Sequence, residues 1–141
     1  IDDRGCFVPS QDGQLYAFAA QNGAPLWASP LRCDSPLIEP VQVGQNTAFQ
    51  ASKAGTFYAI DIARGEQRWT LDGAGAWTVL AVVDNKAYVR GDQTLHVVGE
   101  VLGEVETSLS LYGMDVFVQN TTHGLLWMAT REGHLVCLRP E

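Results

Sequence analysis

Eleven residues of this chain recur forty-two residues further on, with the same three landmarks at the same spacing. Ala17-Phe-Ala19-Ala-Gln-Asn-Gly23-Ala-Pro-Leu-Trp27 is followed by Ala59-Ile-Asp61-Ile-Ala-Arg-Gly65-Glu-Gln-Arg-Trp69. Ala, Gly and Trp recur, and each copy follows an aromatic-rich alternating stretch. Self-similarity at a period of about 40 residues points to stacked supersecondary units, because one such unit cannot bury its own apolar faces. The repeat therefore constrains architecture far more than it constrains activity.

Four copies align on a turn and the strand after it. Gly13 leads into Leu15-Tyr16-Ala17-Phe18, and Gly55 into Phe57-Tyr58-Ala59-Ile60. Gln93 leads into Leu95-His96-Val97-Val98, and Gly133 into Leu135-Val136-Cys137-Leu138. The anchors at positions 13, 55, 93 and 133 are almost evenly spaced. Leu15, Phe57, Leu95 and Leu135 line one face of these strands; Phe18, Ile60, Val98 and Leu138 line the other. A strand apolar on both faces lies in a sheet covered on both sides.

Each copy has an earlier strand (Cys6–Pro9, Ala48–Ala51, Ala87–Arg90, Leu126–Ala129) joined by a polar turn such as Ser10-Gln-Asp-Gly13 or Ser52-Lys-Ala-Gly55. A second Gly turn follows (Gly23, Gly65, Gly103), then a short strand that bears Trp27 or Trp69. A further apolar strand opens the next copy: Leu37–Val43, Val79–Val83, Met114–Val118. No window has a helical period. Four antiparallel strands in each repeat make an all-β chain of propeller blades. The expectation is about fourteen strands in some three and a half blades, a partial propeller or half of an assembled ring. One domain spans 1–141, with repeats at about 1–35, 36–75, 76–110 and 111–141.

With that repeat in place, the chain resembles the propeller repeat of pyrroloquinoline-quinone (PQQ) dehydrogenases and their non-enzymatic relatives. The pattern there is Tyr-Ala-x-Asp-x-x-Thr-Gly-x-x-x-Trp. The second copy matches at Tyr58, Ala59, Asp61, Gly65 and Trp69, with Arg64 for Thr. The first matches at Tyr16, Ala17, Gly23 and Trp27, with Ala19 for Asp and Asn22 for Thr. In the third, Gly103 is kept, while Gly99 and Thr107 stand for the Asp and the Trp. The fourth stops at Glu141, before its glycine turn. The resemblance implies that each Trp docks between neighbouring blades against a Gly turn. Ala17, Gly23, Trp27, Ala59, Asp61, Gly65 and Trp69 are thus expected to be structural docking residues.

The same resemblance implies a cofactor platform in the enzymatic members: a Trp beneath the quinone, often a vicinal disulfide, a calcium shell and a catalytic Asp. This chain has three cysteines, Cys6, Cys33 and Cys137, none adjacent to another. The carboxylates near inner strand starts are few: Asp34, Glu39 and Asp115. A hard cation needs about six converging oxygens. No catalytic, cofactor or metal residues are therefore expected. His96 reads as a core or interface histidine, and His123 and His134 as solvated turn residues. Asn120-Thr-Thr122 fits the glycosylation acceptor pattern, which matters only in a secretory eukaryotic setting.

The net charge is −7, with acidic residues scattered and no basic run. That balance disfavours phosphate-backbone binding, so no nucleic-acid partner is expected. No apolar run approaches the roughly 18–20 residues of a membrane span. The absence of an initiator Met leads to the expectation that the chain is part of something longer.

The starts of innermost strands line a propeller's channel. Asp34, Ser35, Trp77, Thr78 and Tyr112 are therefore candidates for contact with a partner; Trp77 is out of register with the docking tryptophans. The function expected is a non-enzymatic scaffold that binds protein or peptide, its ring completed by further polypeptide or by a second copy. The alternatives are a segment of a PQQ-dependent oxidoreductase, or a small-ligand sensor domain. The resemblance places such scaffolds on the extracytoplasmic side, among outer-membrane assembly lipoproteins and the sensor domains of membrane kinases.

Overall fold

A computed structural model describes residues 3–73, 76–118 and 125–139. The chain forms two compact units, Ile1–Ala74 and Gly75–Glu141. Among the described residues there are fourteen strands and no helix.

In the first unit, β1 (Cys6–Pro9), β2 (Gln14–Phe18) and β3 (Leu31–Arg32) form one antiparallel sheet in the order β1-β2-β3. β4 (Gln42–Val43), β5 (Thr47–Ala51), β6 (Thr56–Asp61) and β7 (Gln67–Asp72) form a second, again in chain order. Each strand pairs with the next one in sequence, which short Gly-bearing turns permit and a parallel sheet would not.

The period of two in side-chain direction divides each sheet into two faces. Phe7, Leu15 and Ala17 from β1 and β2 join Ala48, Tyr58 and Ile60 from β5 and β6 in one buried cluster, together with Trp27 and Leu37. The opposite face of the second sheet carries Phe49, Phe57 and Trp69, whose rings lie 5.8–6.2 Å apart. This is why β6 is apolar at every position from Phe57 to Ile60: it is the middle of a sheet with two buried faces.

In the second unit, β8 (Trp77–Val83), β9 (Lys86–Gly91), β10 (Thr94–Gly99) and β11 (Val105–Ser110) form a four-stranded antiparallel sheet. β12 (Met114–Val118), β13 (Leu126–Thr130) and β14 (Leu135–Leu138) form a three-stranded one. Leu80, Tyr88, Leu95 and Val97 cluster with Leu126 and Met128, and Phe117, Val136 and Leu138 pack at the edge. The β8–β9 hairpin turns at Asp84 and Asn85, both at positive φ (49° and 62°). Two consecutive left-handed residues match the twist of the flanking strands, and Asp and Asn tolerate that region better than most side chains.

Two strands are shorter than the sequence implies. Trp27 lies in no strand: after a single bridge between Phe18 and Pro25 the chain bends through residues 26–29, and pairing resumes only at Leu31. The segment Leu37–Val43 is strand only at Gln42 and Val43. Pro25, Pro30, Pro36 and Pro40 explain both, since each removes the N–H a ladder would use. Asn120-Thr-Thr122 and His123 lie outside the described residues.

Candidate functional site

The docking geometry is laid out in the first unit. Trp27 is buried, and its indole N–H donates to the Ile62 carbonyl at 2.8 Å. The indole lies flat on Gly65, so closely that a Cβ there would overlap the ring. Gly65 also has φ +72°, a conformation that side-chain-bearing residues resist. The Phe7 ring closes the other side, 5.8 Å from the indole. Trp27 thus bridges from the end of one sheet to the β6–β7 turn of the next.

Asp61 holds that turn in shape. Its carboxylate accepts the N–H groups of Ala63 and Arg64 at 2.9 and 3.0 Å and pairs with Arg68 at 2.8 Å. Arg68 also reaches Thr47. The Arg68 hydrogen bond is the main force holding the Asp61 carboxyl below the usual carboxylate range. A depressed folded pKa gives stability that is present above the unfolded value, near 4, and lost as pH falls through the folded one. Asp61→Asn should therefore cost on the order of 1–2 kcal/mol at pH 7, because it weakens charge-assisted bonds. It should also flatten the fall in urea midpoint between pH 5 and 3. Parallel pH profiles for parent and variant would contradict this assignment.

The first repeat uses Asn22 for the same purpose: its side-chain oxygen accepts the Ala24 N–H at 3.0 Å. The Gly23 N–H donates to Ala19, as Gly65 does to Asp61. Yet, among the described residues, a Cβ at Gly23 would meet nothing within 4 Å. Among those residues the same turn is covered by an indole at Gly65 and by no neighbouring side chain at Gly23. Ala17 is buried beside it and accepts the Leu26 N–H; Ala59 lies opposite Trp69 in register.

The structure brings Asp34 and Ser35 together with the β5–β6 turn. The Thr56 hydroxyl donates to Asp34 at 2.6 Å, the Asp34 N–H to the Tyr58 hydroxyl at 3.0 Å, and the Ala54 N–H to Ser35 Oγ at 2.8 Å. The Thr56 contact is the leading cause of Asp34's lowered pKa. This pair staples the link between sheets to the next hairpin. Burial pushes the neighbouring Cys33 thiol up to about 11, which leaves it protonated and inert at neutral pH.

Trp77, Thr78 and Tyr112 belong to the second unit and do not form a cluster. Trp77 lies on Gly91, leaving no room for a Cβ, with its ring 5.8 Å from His96. His96 Nδ1 is 2.9 Å from Ser108 Oγ, its cross-strand neighbour, and the side chain is only partly buried. Thr78 lines an open cleft of about 580 Å³ with Arg90, Asp115 and Phe117; the Arg90 guanidinium covers the Phe117 ring at 4.2 Å. Tyr112 is 84% exposed. It is the single large aromatic among these five that faces outward. Among the described residues, no group of three or more His, Cys, Asp or Glu is placed to hold a metal ion.

Two features escaped sequence reasoning. One is a cleft beside Thr107. The other is an apolar hollow of about 330 Å³ beside Tyr16, Phe18, Pro25 and Pro30. The Trp-to-Thr change in the third repeat signalled the first. The second follows from the prolines that keep Trp27 out of a strand.

Antiparallel sheets of up to four strands, repeated at a near-constant interval and paired in chain order, define a β-propeller repeat protein. Solved structures of that class superpose well on the chain. BamB from Moraxella catarrhalis matches with a TM-score of 0.72 at 19% identity, over 98% of this chain and 44% of that one. Two computationally designed proteins also match. Ika4 gives 0.73 at 16% identity over 100% of this chain and 88% of its own. Ika8 gives 0.74 at 17% identity over 99% and 44%. Residues 2–116 match the family model for the outer membrane protein assembly factor BamB, and the chain belongs to that family of PQQ-like propeller repeats. It spans less than half the length of the Moraxella protein. No curated protein is matched in sequence.

Proposed function

We propose that the chain is a non-enzymatic scaffold segment that binds other polypeptide through unpartnered blade flanks, in the manner of an assembly factor on the extracytoplasmic side. The observation that carries this reading is the uncovered Gly23 turn, set against its covered counterpart at Gly65. The flank beside it repeats the comparison. Cys6, Val8, Tyr16 and Phe18 share the outer face of β1 and β2. Their equivalents one repeat later, Ala48, Gln50, Tyr58 and Ile60, are all buried.

Even the tyrosine partner differs. Tyr58 accepts a backbone N–H from the preceding link, whereas Tyr16 turns its hydroxyl to Asp12, within its own hairpin, at 2.8 Å. In the second unit, Val116, Val118, Leu135 and Cys137 make a corresponding exposed face of β12 and β14, with Leu135 68% exposed. Contiguous apolar surface of this kind marks an interaction site. The ring is completed there by further polypeptide or by a second copy. Asp34 and Ser35 serve this scaffold as staples, and Tyr112 is a further partner contact.

The chain should self-associate in sedimentation velocity, or bind a hydrophobic-surface dye. Combined Phe18→Glu and Leu135→Glu substitution should suppress both. A monodisperse 15.3 kDa monomer without dye binding would overturn the proposal.

A further inference from the structure

One arginine of the second unit enters a cleft without an acceptor. Arg90 stands opposite Thr78 in the β8–β9 pair, so the two side chains share one face of the sheet. Arg90 also pairs with Leu95 where, one repeat earlier, Ala51 pairs with Phe57. A guanidinium thus takes the place of a methyl. Its Nε is buried with no hydrogen-bond partner, and Arg90 makes no ion pair among the described residues. The guanidinium lies over the Phe117 ring, 4.2 Å from its centroid. An aromatic face attracts a cation but accepts no N–H in the way a carboxylate does, so a half-buried guanidinium held this way has unmet bonding capacity.

Two bulges shape the rest of the cleft. Leu80 is the extra residue of β8, where pairing slips between Val79 and Ala81, and Asp115 is that of β12, between Met114 and Val116. A bulge re-aims a side chain out of the regular alternation. Both residues line the open cleft of about 580 Å³ that also holds Thr78, Arg90 and Phe117. Arg90 and Asp115 do not pair with each other. Asp115 holds Arg131 at 3.0 Å, and that guanidinium is 86% exposed. So exposed a pair contributes little and yields readily. The cleft therefore offers an unclaimed cation, a loosely held anion, a hydroxyl and an apolar wall. Apolar walls with a few convergent polar groups, at a volume of roughly 300–1,000 Å³, characterise small-ligand sites.

We infer that this cleft binds a free α-amino acid with an apolar side chain. Its carboxylate goes to Arg90, which can hold it through two parallel N–H bonds. Its ammonium donates to Asp115, and its side chain lies against Leu80 and Phe117. Both ligand charges are needed. A diacid would set a second negative charge beside Asp115, and an amine alone would leave Arg90 without an acceptor. A peptide terminus supplies only one of the two charges. Neither Phe18 nor Leu135 lines the cleft, so binding here and association through the flanks fail independently.

The test is titration of the full chain with leucine, with N-acetyl-leucine and with leucinamide, followed through the ¹⁵N amide shifts of Thr78, Arg90 and Asp115. Leucine is expected to bind on the order of tenfold more tightly than either blocked form, because each block removes one charge-assisted contact. Arg90→Gln should erase the advantage of leucine over leucinamide and keep its advantage over N-acetyl-leucine. Asp115→Asn should do the reverse. Arg90→Lys keeps the charge without the two-pronged geometry and should retain part of the carboxylate preference; it serves in place of Arg90→Gln if the amide spectrum shows that variant unfolded. Absence of shifts with leucine would overturn the proposal, as would an advantage that survives the matching substitution. N-acetyl-leucine binding as tightly as leucine would reduce the site to a carboxylate holder and contradict the amino-acid assignment.

Discussion

Trp27→Ala is expected to destabilise the protein by about 3–5 kcal/mol, the range for truncating a large buried aromatic. Three losses contribute. The indole leaves a cavity among Phe7, Ile62 and Gly65 that the two flanking sheets cannot close without moving. The Ile62 carbonyl loses the N–H it accepts and has no ready substitute in a buried site. The link between the β1–β3 and β4–β7 sheets loses its main cross-piece. Trp27→Phe should recover part of the apolar term and none of the hydrogen bond, and so fall between parent and Ala variant. Reversible urea unfolding gives both numbers. A loss below about 1 kcal/mol for Trp27→Ala would mean that the indole does not lock the sheets.

Gly65→Ala attacks the same contact from the other side and should cost about 2–4 kcal/mol, the sum of backbone strain and overpacking. The φ of +72° alone costs a side-chain-bearing residue about 1 kcal/mol or more. The rest is steric, because the new methyl overlaps the Trp27 ring and one of the two must shift. Gly23→Ala is the internal control. Its φ, +71°, is nearly the same, but no described residue lies within 4 Å of the added methyl. It should show the backbone cost without the steric one. Equal losses at the two glycines would remove the docking contact from the account.

Much of this architecture is legible in the sequence, because its determinants are local and repeated. Gly turns, the alternation around Phe57–Ile60 and two tryptophans at equal offsets specify antiparallel blades without knowledge of any contact. Where the sequence reading falls short, the cause is of a different kind. Pro25, Pro30, Pro36 and Pro40 trim strands whose apolar pattern is otherwise intact, and pattern alone does not weigh a missing N–H. Asp34 acts on Thr56 and Tyr58, twenty-two and twenty-four residues away, and only the fold reveals a carboxylate spent on stapling. Trp77 looks available in sequence because it breaks register, yet it rests on Gly91 across the β8–β9 pair. The cleft beside Thr107 needed both kinds of information: the repeat shows Thr where the second copy has an indole, and the packing of the described residues shows the cleft beside it.

The most direct test of inter-blade docking is a double-mutant cycle on Trp27 and Gly65 by urea unfolding. With Trp27 already Ala, the ring that Gly65→Ala would strike is gone, so the second substitution should cost only its backbone strain, about 1 kcal/mol. The two losses should then fall short of additivity by about 1–3 kcal/mol, as for residues in direct contact. Additive losses, within about 0.5 kcal/mol, would show that the indole and the turn act independently, and would contradict the account.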